Sequence, residues 1–468
     1  MYLVQRIQSD IDLLLLHQYD SATYPFLLET ALKSRDRHFD ILFAFPQHTL
    51  LLQKDGLSLV TNTGQTSTGN SDFLCDNEFL SSFDQWWQAE KNSSLPTDFL
   101  PFYGGWFVFI SYELAGQIEP VLQLPENAQC EPVAYATRIP AAIIKDHTTG
   151  YLYAVAENGR QLLIDTMLNH VQQAGMAYSE PPMPTHPIPR ISEENPEKYL
   201  SGVEKIKTYI KNGDVFQVNL SRWWNIQFTG NLPHTWLYRQ LRIHNPSPFF
   251  GMAKFGDSVI VSSSPERLLK VQKGNISTRP IAGTRPRGAM NQQDLELRNE
   301  LIAHPKERAE HIMLIDLERN DLGRICQPGT IKVDELMAVE TYSHVHHIVS
   351  NINGRLREDI TPGQIIRAMF PGGTITGCPK VRCMEIIAEL EQTGRGAYTG
   401  SMGYINLNGD MDFNILIRTM IACEDTVHFR AGAGIVADSI AEKELAETRA
   451  KAKGLLKSLG LNQQSYMA

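Results

Sequence analysis

Apolar and polar positions along the chain follow two different periods. Phe39 to Phe45, His48 to Gln53 and Gly105 to Ile110 are short apolar or alternating runs, the pattern of β-strands. Helical periodicity begins at Glu194 to Asn212, which Gly213 is placed to end. Alternating segments return at Phe216 to Trp224, Ser258 to Ser262 and Leu268 to Val271. Long helical patterns then run from about Gln293 to Glu318 and from Ser439 to Leu459. No repeat, low-complexity tract or heptad seam interrupts them. Strands and long helices without regular alternation predict an α+β fold, layered antiparallel sheets with helices packed outside, rather than a doubly wound sheet.

The sharpest break is Pro181-Pro-Met-Pro-Thr-His-Pro-Ile-Pro189, five prolines in nine residues. Proline removes a backbone donor and holds an extended path. Residues 181–192 are therefore expected to link an N-terminal region, 1–180, to a region, 193–468, that carries nearly all the chemically suggestive sequence. A chain of 468 residues, 42% hydrophobic and 20% charged, has the composition of a soluble globular protein. The longest apolar runs, such as Leu13 to Leu16 and Trp106 to Ile110, are too short to span a membrane. No basic segment followed by an apolar one opens the sequence, so no secretion leader is expected. Six scattered cysteines suit a reducing cytoplasm better than a disulfide framework. The formal charge of −9 argues against nucleic acid as the main partner. It leaves room for an anionic small molecule, because a local Arg or Lys outweighs distant carboxylates within a screening length.

Candidate chemistry concentrates near the C-terminus. On a helix Glu444, Glu447 and Lys451 share one face. Alone they would be an ordinary solvated Glu–Lys pair, but Ala431-Gly-Ala-Gly-Ile-Val-Ala-Asp438 precedes them, and paired glycines let backbone amides approach an anion. The match of Gly432-x-Gly434-x-x-Ala437 to a dinucleotide fingerprint is weak, since no strand–helix–strand unit with a ribose-binding acid follows. In Pro305-Lys-Glu-Arg-Ala-Glu-His-Ile-Met-Leu-Ile-Asp-Leu-Glu318, apolar Ile312, Met313, Ile315 and Leu317 are expected to face the core, with Glu310 near one edge. Two carboxylate helices beside a Gly-rich anion site suggest Mg²⁺ plus an anionic substrate. Phe370-Pro-Gly-Gly-Thr-Ile-Thr-Gly-Cys-Pro-Lys380 and Ala397-Tyr-Thr-Gly-Ser-Met-Gly403 are either further anion loops or turns that only glycine fits. The first lacks the Gly-Lys-Ser/Thr ending of a nucleotide loop. His344, His346 and His347 would alternate across a strand and have no matched Cys/His set, which disfavours zinc. Neither a Gly-x-Ser-x-Gly elbow nor a Gly-x-Cys-x-Gly glutaminase nucleophile occurs.

From about residue 190 to 460 the chain resembles the chorismate-utilising enzymes: the large subunits of anthranilate synthase and aminodeoxychorismate synthase, and the isochorismate and salicylate synthases. The likeness rests on Gly213-Asp-Val-Phe-Gln-Val-Asn-Leu-Ser221, Ser264-Pro-Glu-Arg267, Arg279-Pro-Ile-Ala-Gly-Thr284, Arg308-Ala-Glu310, Asp316-Leu-Glu-Arg-Asn-Asp-Leu-Gly-Arg324 and Arg418-Thr419. A weaker likeness covers Leu27-Leu-Glu-Thr30 and Gly104-Gly-Trp-Phe-Val-Phe-Ile-Ser-Tyr112. The resemblance implies that Glu310 and Glu447, with Glu444 as a helper, hold Mg²⁺ against the ring carboxylate of chorismate. It makes Glu266 the general acid for the leaving 4-hydroxyl. Arg418 and Tyr398 would grip the enolpyruvyl carboxylate, and Thr284, His347, Gly434 and Lys451 would line the rest of the pocket.

At the position of Gln217 the water-using relatives carry a lysine base. A glutamine cannot act as base but suits an incoming amine, so the resemblance implies ammonia as the nitrogen source, supplied by a glutamine amidotransferase subunit. The forms around Gln217, Glu266, Thr374, Ser401 and Phe413 resemble aminodeoxychorismate synthase, which makes the 4-amino product the expected one. Ala282 stands where the better-known members of that group have a nucleophilic lysine, and Pro280-Ile-Ala-Gly-Thr-Arg-Pro-Arg-Gly288 resembles anthranilate synthase instead. Leu27-Leu-Glu-Thr30 resembles the family's tryptophan inhibitor site with threonine for the usual serine, so tryptophan in the N-terminal region stays open. A non-catalytic chorismate or tryptophan sensor is the alternative from another class. The joint presence of Glu266, Glu310, Glu447, Gln217 and Arg418 argues against it.

Overall fold

A computed structural model gives the fold, and it describes residues 2–30, 38–61, 77–92, 99–127, 130–176, 189–230, 232–286, 294–297, 299–300, 305–341 and 345–461. Two large antiparallel sheets, of twelve and eleven strands among these residues, carry the mixed α+β architecture expected from the sequence. The first begins with Leu3–Ile7, Leu152–Ala156, Ala141–Asp146, Phe39–Ala44 and Phe26–Glu29. It continues through Phe249–Phe255, Ser258–Ser264, Thr419–Cys423, Thr426–Ile435, Gln217–Gln227 and Arg190–Glu193. The second sheet likewise joins early strands, such as Gly105–Ile110 and Ala134–Ile139, to late ones, such as Ser401–Asn406 and Arg267–Gln272. Strands from before and after the proline-rich segment thus share both sheets. Most of that segment lies outside the described residues.

The sheets face each other across aromatic side chains. Phe26 of the first stacks on Phe107 of the second at 4.1 Å between centroids, and Phe43 meets Phe107 edge-on at 5.4 Å. These rings join one buried cluster with Ile260, Leu269 and Phe413. Truncating a fully buried phenylalanine of this kind typically costs about 3–5 kcal/mol.

Helices cover the outer faces, and their ends follow local rules. Pro196–Asn212 starts at Asn195, whose side chain accepts from the Glu197 amide, and stops at Gly213 with φ of 84°. The last helix, Ala441–Ser458, buries Leu445, Thr448, Ala452, Leu455 and Leu456, and leaves Glu447 exposed. Pro305–Gly323 corrects the sequence reading: it runs on to Gly323, and Ile312 is 49% exposed. Ile315 is buried as expected, but Met313 and Leu317 are only half-buried, and the buried stripe is His311, Leu314, Ile315, Glu318, Asp321 and Leu322, at helical spacing. Three polar side chains sit in that stripe, so counting apolar residues shifts the inner face toward Ile312. No helix of the described residues is long and apolar enough to cross a membrane.

Where the helix Lys380–Glu391 meets the first sheet, Glu391 is buried between two arginines. Arg395 Nη2 lies 2.6 Å and Arg430 Nη2 2.8 Å from its carboxylate, and the Ser221 amide and hydroxyl each donate to it at 2.8 Å. Burial pushes this carboxyl up, but Arg395 and Arg430 outweigh it and hold the group below its ordinary value. Removing one member of such a group strands buried charge. Glu391→Ala is expected to destabilise the fold by about 3–5 kcal/mol in urea unfolding, far more than an exposed Glu→Ala change.

Candidate active site

The long strand Gln217–Gln227 pairs with Thr426–Ile435, Asn219 opposite Gly434 and Ser221 opposite Gly432. Side chains cross over both glycines. A Cβ on Gly434 would stand 2.2 Å from Gln217 Nε2, and one on Gly432 2.7 Å from the Tyr398 hydroxyl and 2.9 Å from Asn219 Oδ1. Lys451 of the last helix reaches the same patch, donating to the Gly432 carbonyl at 2.9 Å while pairing with Glu447 at 2.8 Å. Gln217, Tyr398, Gly434 and Lys451 are therefore brought together, and Asn219, which the sequence reading did not single out, joins them. The buried Gln217 Oε1 and Asn219 Oδ1 meet no donor among the described residues.

Glu266 occupies the next stretch of this surface, just after the strand Ser258–Ser264. It is 5% exposed and accepts from the Ile281 amide at 3.5 Å. Burial pushes its carboxyl up to about 7; the Thr374 side chain, the Ile281 amide and the cations Lys451 and Arg418 oppose the shift only in part. An acid that titrates near neutrality still has a proton to give. Burial lowers the Arg418 guanidinium, and Glu266 acts against that. His347 is driven down to about 4, by burial first and then by Arg418, so its imidazole is neutral at physiological pH. Burial raises the Tyr398 hydroxyl to about 12, which keeps it a donor.

Two residues here hold an unusual backbone. Thr399, beside Tyr398, has φ of 62°, and Arg418 has φ of 52°. The left-handed region is uncommon for a side-chain-bearing residue, above all a β-branched one, and costs on the order of 1–3 kcal/mol. Tertiary contacts impose it: the Thr399 amide donates to the Leu416 carbonyl at 2.7 Å, and the Ser263 amide to the Arg418 carbonyl at 3.2 Å. The loop before Tyr398 is held from the N-terminal half of the chain. Glu113 accepts from the Arg395 amide at 2.7 Å and the Gly396 amide at 3.1 Å, and Glu131 accepts from the Ala397 amide at 3.2 Å. No spacing in the sequence signals these two supporting carboxylates.

The sequence-predicted metal ligands lie on two helices. Glu444 is half-buried, Glu447 exposed, and both act on the buried Tyr199, whose hydroxyl has no partner among the described residues. Glu310 is half-buried on Pro305–Gly323, about 12 Å along the axis from Glu318. Among the described residues no three His, Cys, Asp or Glu side chains gather as a ready-made metal cage. Of the histidine trio, His344 lies outside the described residues. His346 is engaged by Asp294 at 2.9 Å and Thr341 at 2.9 Å, and His347 is its neighbour on the strand. Ala282 and Thr284 pair through the backbone with Ile348 and His347, with an irregular register between them; their side chains lie outside the described part.

A separate cavity of about 600 Å³ is lined from both sheets, by Glu29, Thr30, Tyr103, Phe249, Arg267 and Met402 among others. None of the predicted catalytic, substrate or metal residues lines it, but Leu28, Glu29 and Thr30 of the segment that resembles the inhibitor site do. Pro265 and Arg267, which flank Glu266, line it too.

The contact at Gly434 is testable. Gly434→Ala must push the Gln217 amide aside, and a displacement of about 1 Å costs on the order of a hundredfold in rate. Steady-state turnover is expected to fall by that order while the melting temperature hardly moves.

The comparisons with known proteins bear on this geometry. The family of chorismate binding enzymes matches residues 30–457. Aminodeoxychorismate synthase component 1 of Bacillus subtilis is 40% identical over 430 residues, 88% of this chain and 87% of that protein. Anthranilate synthase component 1 of Aquifex aeolicus is also 40% identical, over 385 residues, 78% of this chain and 76% of its own. The crystal structure of anthranilate synthase component I from Streptococcus pneumoniae superposes with a TM-score of 0.77 at 33% identity, covering 90% of this chain and 93% of that one. Strained residues, a buried acid and the paired glycines thus sit in a known scaffold: this chain belongs to the chorismate binding enzymes.

Proposed function

We propose that the chain aminates chorismate at ring carbon 4, as component 1 of an aminodeoxychorismate synthase serving 4-aminobenzoate and folate synthesis. The observation that carries amination is Gln217. Its buried amide oxygen meets no donor among the described residues, and it stands on the same surface as a buried acid that titrates near neutrality. A glutamine cannot take a proton from water, but its oxygen can accept an N–H of ammonia. Glu266 gives its proton to the 4-hydroxyl oxygen, the carbon–oxygen bond breaks and water leaves. Ammonia forms the new carbon–nitrogen bond, and the surplus proton on nitrogen returns to the Glu266 carboxylate. Arg418 and Tyr398 orient the enolpyruvyl carboxylate, while Thr284, neutral His347, Gly434 and Lys451 complete the walls.

Glu444 and Glu447, one helical turn apart, offer the hard oxygen donors that Mg²⁺ prefers, and the buried Tyr199 hydroxyl beside them, with no partner among the described residues, supports a polar site there. Together with Glu310 they would hold the ion. Bound there, Mg²⁺ supplies a positive charge for the ring carboxylate and draws electron density from the diene.

Several motifs and the B. subtilis relative favour the 4-amino product. Ala282 favours the second reading, an anthranilate synthase that aminates carbon 2. The name component 1 in the relatives, and the lack of a glutaminase motif in this chain, support a separate glutamine amidotransferase as ammonia donor. The second cavity, with aromatic Phe99, Tyr103 and Phe249 beside Glu29 and Arg267, suits an amino acid effector such as tryptophan.

Chromatography of the product from chorismate, Mg²⁺ and ammonium salt decides between the readings. Aminodeoxychorismate is expected, whereas release of anthranilate and pyruvate without a partner lyase would establish the other. Glutamine in place of ammonium is expected to give no turnover by the isolated chain. Glu447→Gln and Glu310→Gln are each expected to abolish turnover and to weaken Mg²⁺ binding in calorimetry, with the fold retained. On the 4-amino reading, Ala282→Lys places an amine near ring carbon 2, and intact-protein mass spectrometry is expected to show a covalent adduct absent from the wild type.

A further inference from the structure

The strand Gln217–Gln227 carries Gln217 and Asn219 on one face, and alternation turns Leu220, Arg222, Trp224 and Ile226 to the other, where they pack beneath the helices Pro196–Asn212 and Ala441–Ser458. Three of these four are apolar, as a covered face requires. Arg222 is the exception, and it is 0% exposed. Its guanidinium lies over the Trp224 ring at 5.1 Å, and its Nη2 donates to the Glu194 carbonyl. Its Nε and Nη1 meet no partner among the described residues, and neither does the Nε1 of Trp224, itself 1% exposed.

A second arginine joins this group from the last helix. Arg449 Nη2 donates to Glu193 Oε1 at 2.6 Å, and Arg222 Nη2 lies 3.6 Å from the same oxygen, so both guanidiniums meet at one carboxylate. Arg449 Nε also has no partner among the described residues. Against all these donors stands a single unpartnered oxygen, Glu193 Oε2. The next carboxylate along the chain, Glu194, is matched by Lys198 at 2.8 Å. Two guanidiniums on one carboxylate leave an excess of one positive charge. Burial disfavours that charge on Arg222, and Glu193 supports it against the push of Arg449. An arginine does not shed its proton in a protein, so the excess cannot be relieved by titration. A buried charge calls for a counter-charge, and buried N–H groups call for acceptors. Water supplies only the second.

We propose that a small monoanion of the halide class binds beside Arg222 and Arg449, accepting from their unpartnered N–H groups and cancelling the excess charge. One unit of excess charge selects a monoanion. Full burial of Arg222 and Trp224 selects a monatomic ion over a tetrahedral one such as phosphate. A halide accepts from several donors at once without a preferred direction, which suits N–H groups that come from a strand and a helix. Arg449 stands two residues after Glu447, and Tyr199 feels the charges of Glu444, Glu447 and Arg222 alike. The anion therefore ties the helix that carries Glu444, Glu447 and Lys451 to the strand that carries Gln217. The site stands whichever ring carbon the enzyme aminates.

Thermal melts of the whole chain in chloride and in gluconate, at constant ionic strength so that screening is equal, test this first. Chloride is expected to raise the melting temperature by about 2 °C over gluconate, and bromide to act likewise. Arg449→Met, at a partly exposed position, and Arg222→Met each remove the excess charge and are expected to abolish the halide dependence. Crystals grown in bromide are expected to show an anomalous peak at hydrogen-bond distance from Arg222 Nε or Nη1. Equal melting in chloride and gluconate overturns the site, as does a halide effect that survives in Arg449→Met. A crystal with water and no bromide at Arg222 overturns it too. A bromide peak without any effect on melting marks an adventitious ion only and counts against the proposal. Should Arg222→Met fail to fold, Arg449→Met and the bromide crystal still decide.

Discussion

Glu391 ends a helix, yet three other parts of the chain converge on its carboxylate. Arg430 reaches it from the strand that carries Gly432 and Gly434, and Ser221 from the partner strand that carries Gln217 and Asn219. Arg395 reaches it from the loop that presents Tyr398, and also donates to the carbonyls of Asn219 at 2.8 Å and Ile375 at 3.1 Å. Through one buried carboxylate and two guanidiniums, the Gln217 strand, the glycine strand, the Tyr398 loop and the Thr374 turn are held in fixed relation. An ion triad this deep adds little net stability over an apolar replacement. What it adds is definition, because every displacement leaves a charge unpaired in a low dielectric.

That definition is what permits strain at Thr399 and Arg418. A left-handed threonine persists only where its surroundings over-determine it, and Glu113 and Glu131 supply that from the N-terminal half by holding the amides of residues 395–397. The early part of the chain is thus structural support for a surface built almost wholly from later residues. It also walls the second cavity, whose lining includes the neighbours of Glu266 on either side.

The same dry interior governs the acid–base character of the site. Glu266, Glu318 and Tyr398 are all shifted toward their neutral forms by burial, and His347 is held neutral. The pocket therefore presents protonated acids and donors to an anionic molecule, with Arg418 and Lys451 as the cations that offset its charge.

Much of the architecture was legible in the sequence because it follows from local periodicity. The helix from Pro196 to Gly213 and the last helix were predicted within a few residues, and the strands at Phe39, Gly105, Ser258 and Leu268 fall where alternation placed them. Family resemblance, carried by residue-for-residue motifs, named Gln217, Glu266, Tyr398, Arg418, Gly434 and Lys451. Of these, spacing alone had marked only Gly434 and Lys451. Ile312 shows the limit of patterning: it looked like a core residue, but polar His311, Glu318 and Asp321 occupy the inner face of its helix. Whether a carboxylate is solvated or buried depends on partners such as Thr278, Lys380 and Gly373, which lie 40 to 62 residues away along the chain. Sequence determines which residues can be helical, strand-forming, acidic or basic, since those are properties of short segments. Only tertiary packing decides which of the acids lose water, and so which of them keep a proton near neutrality.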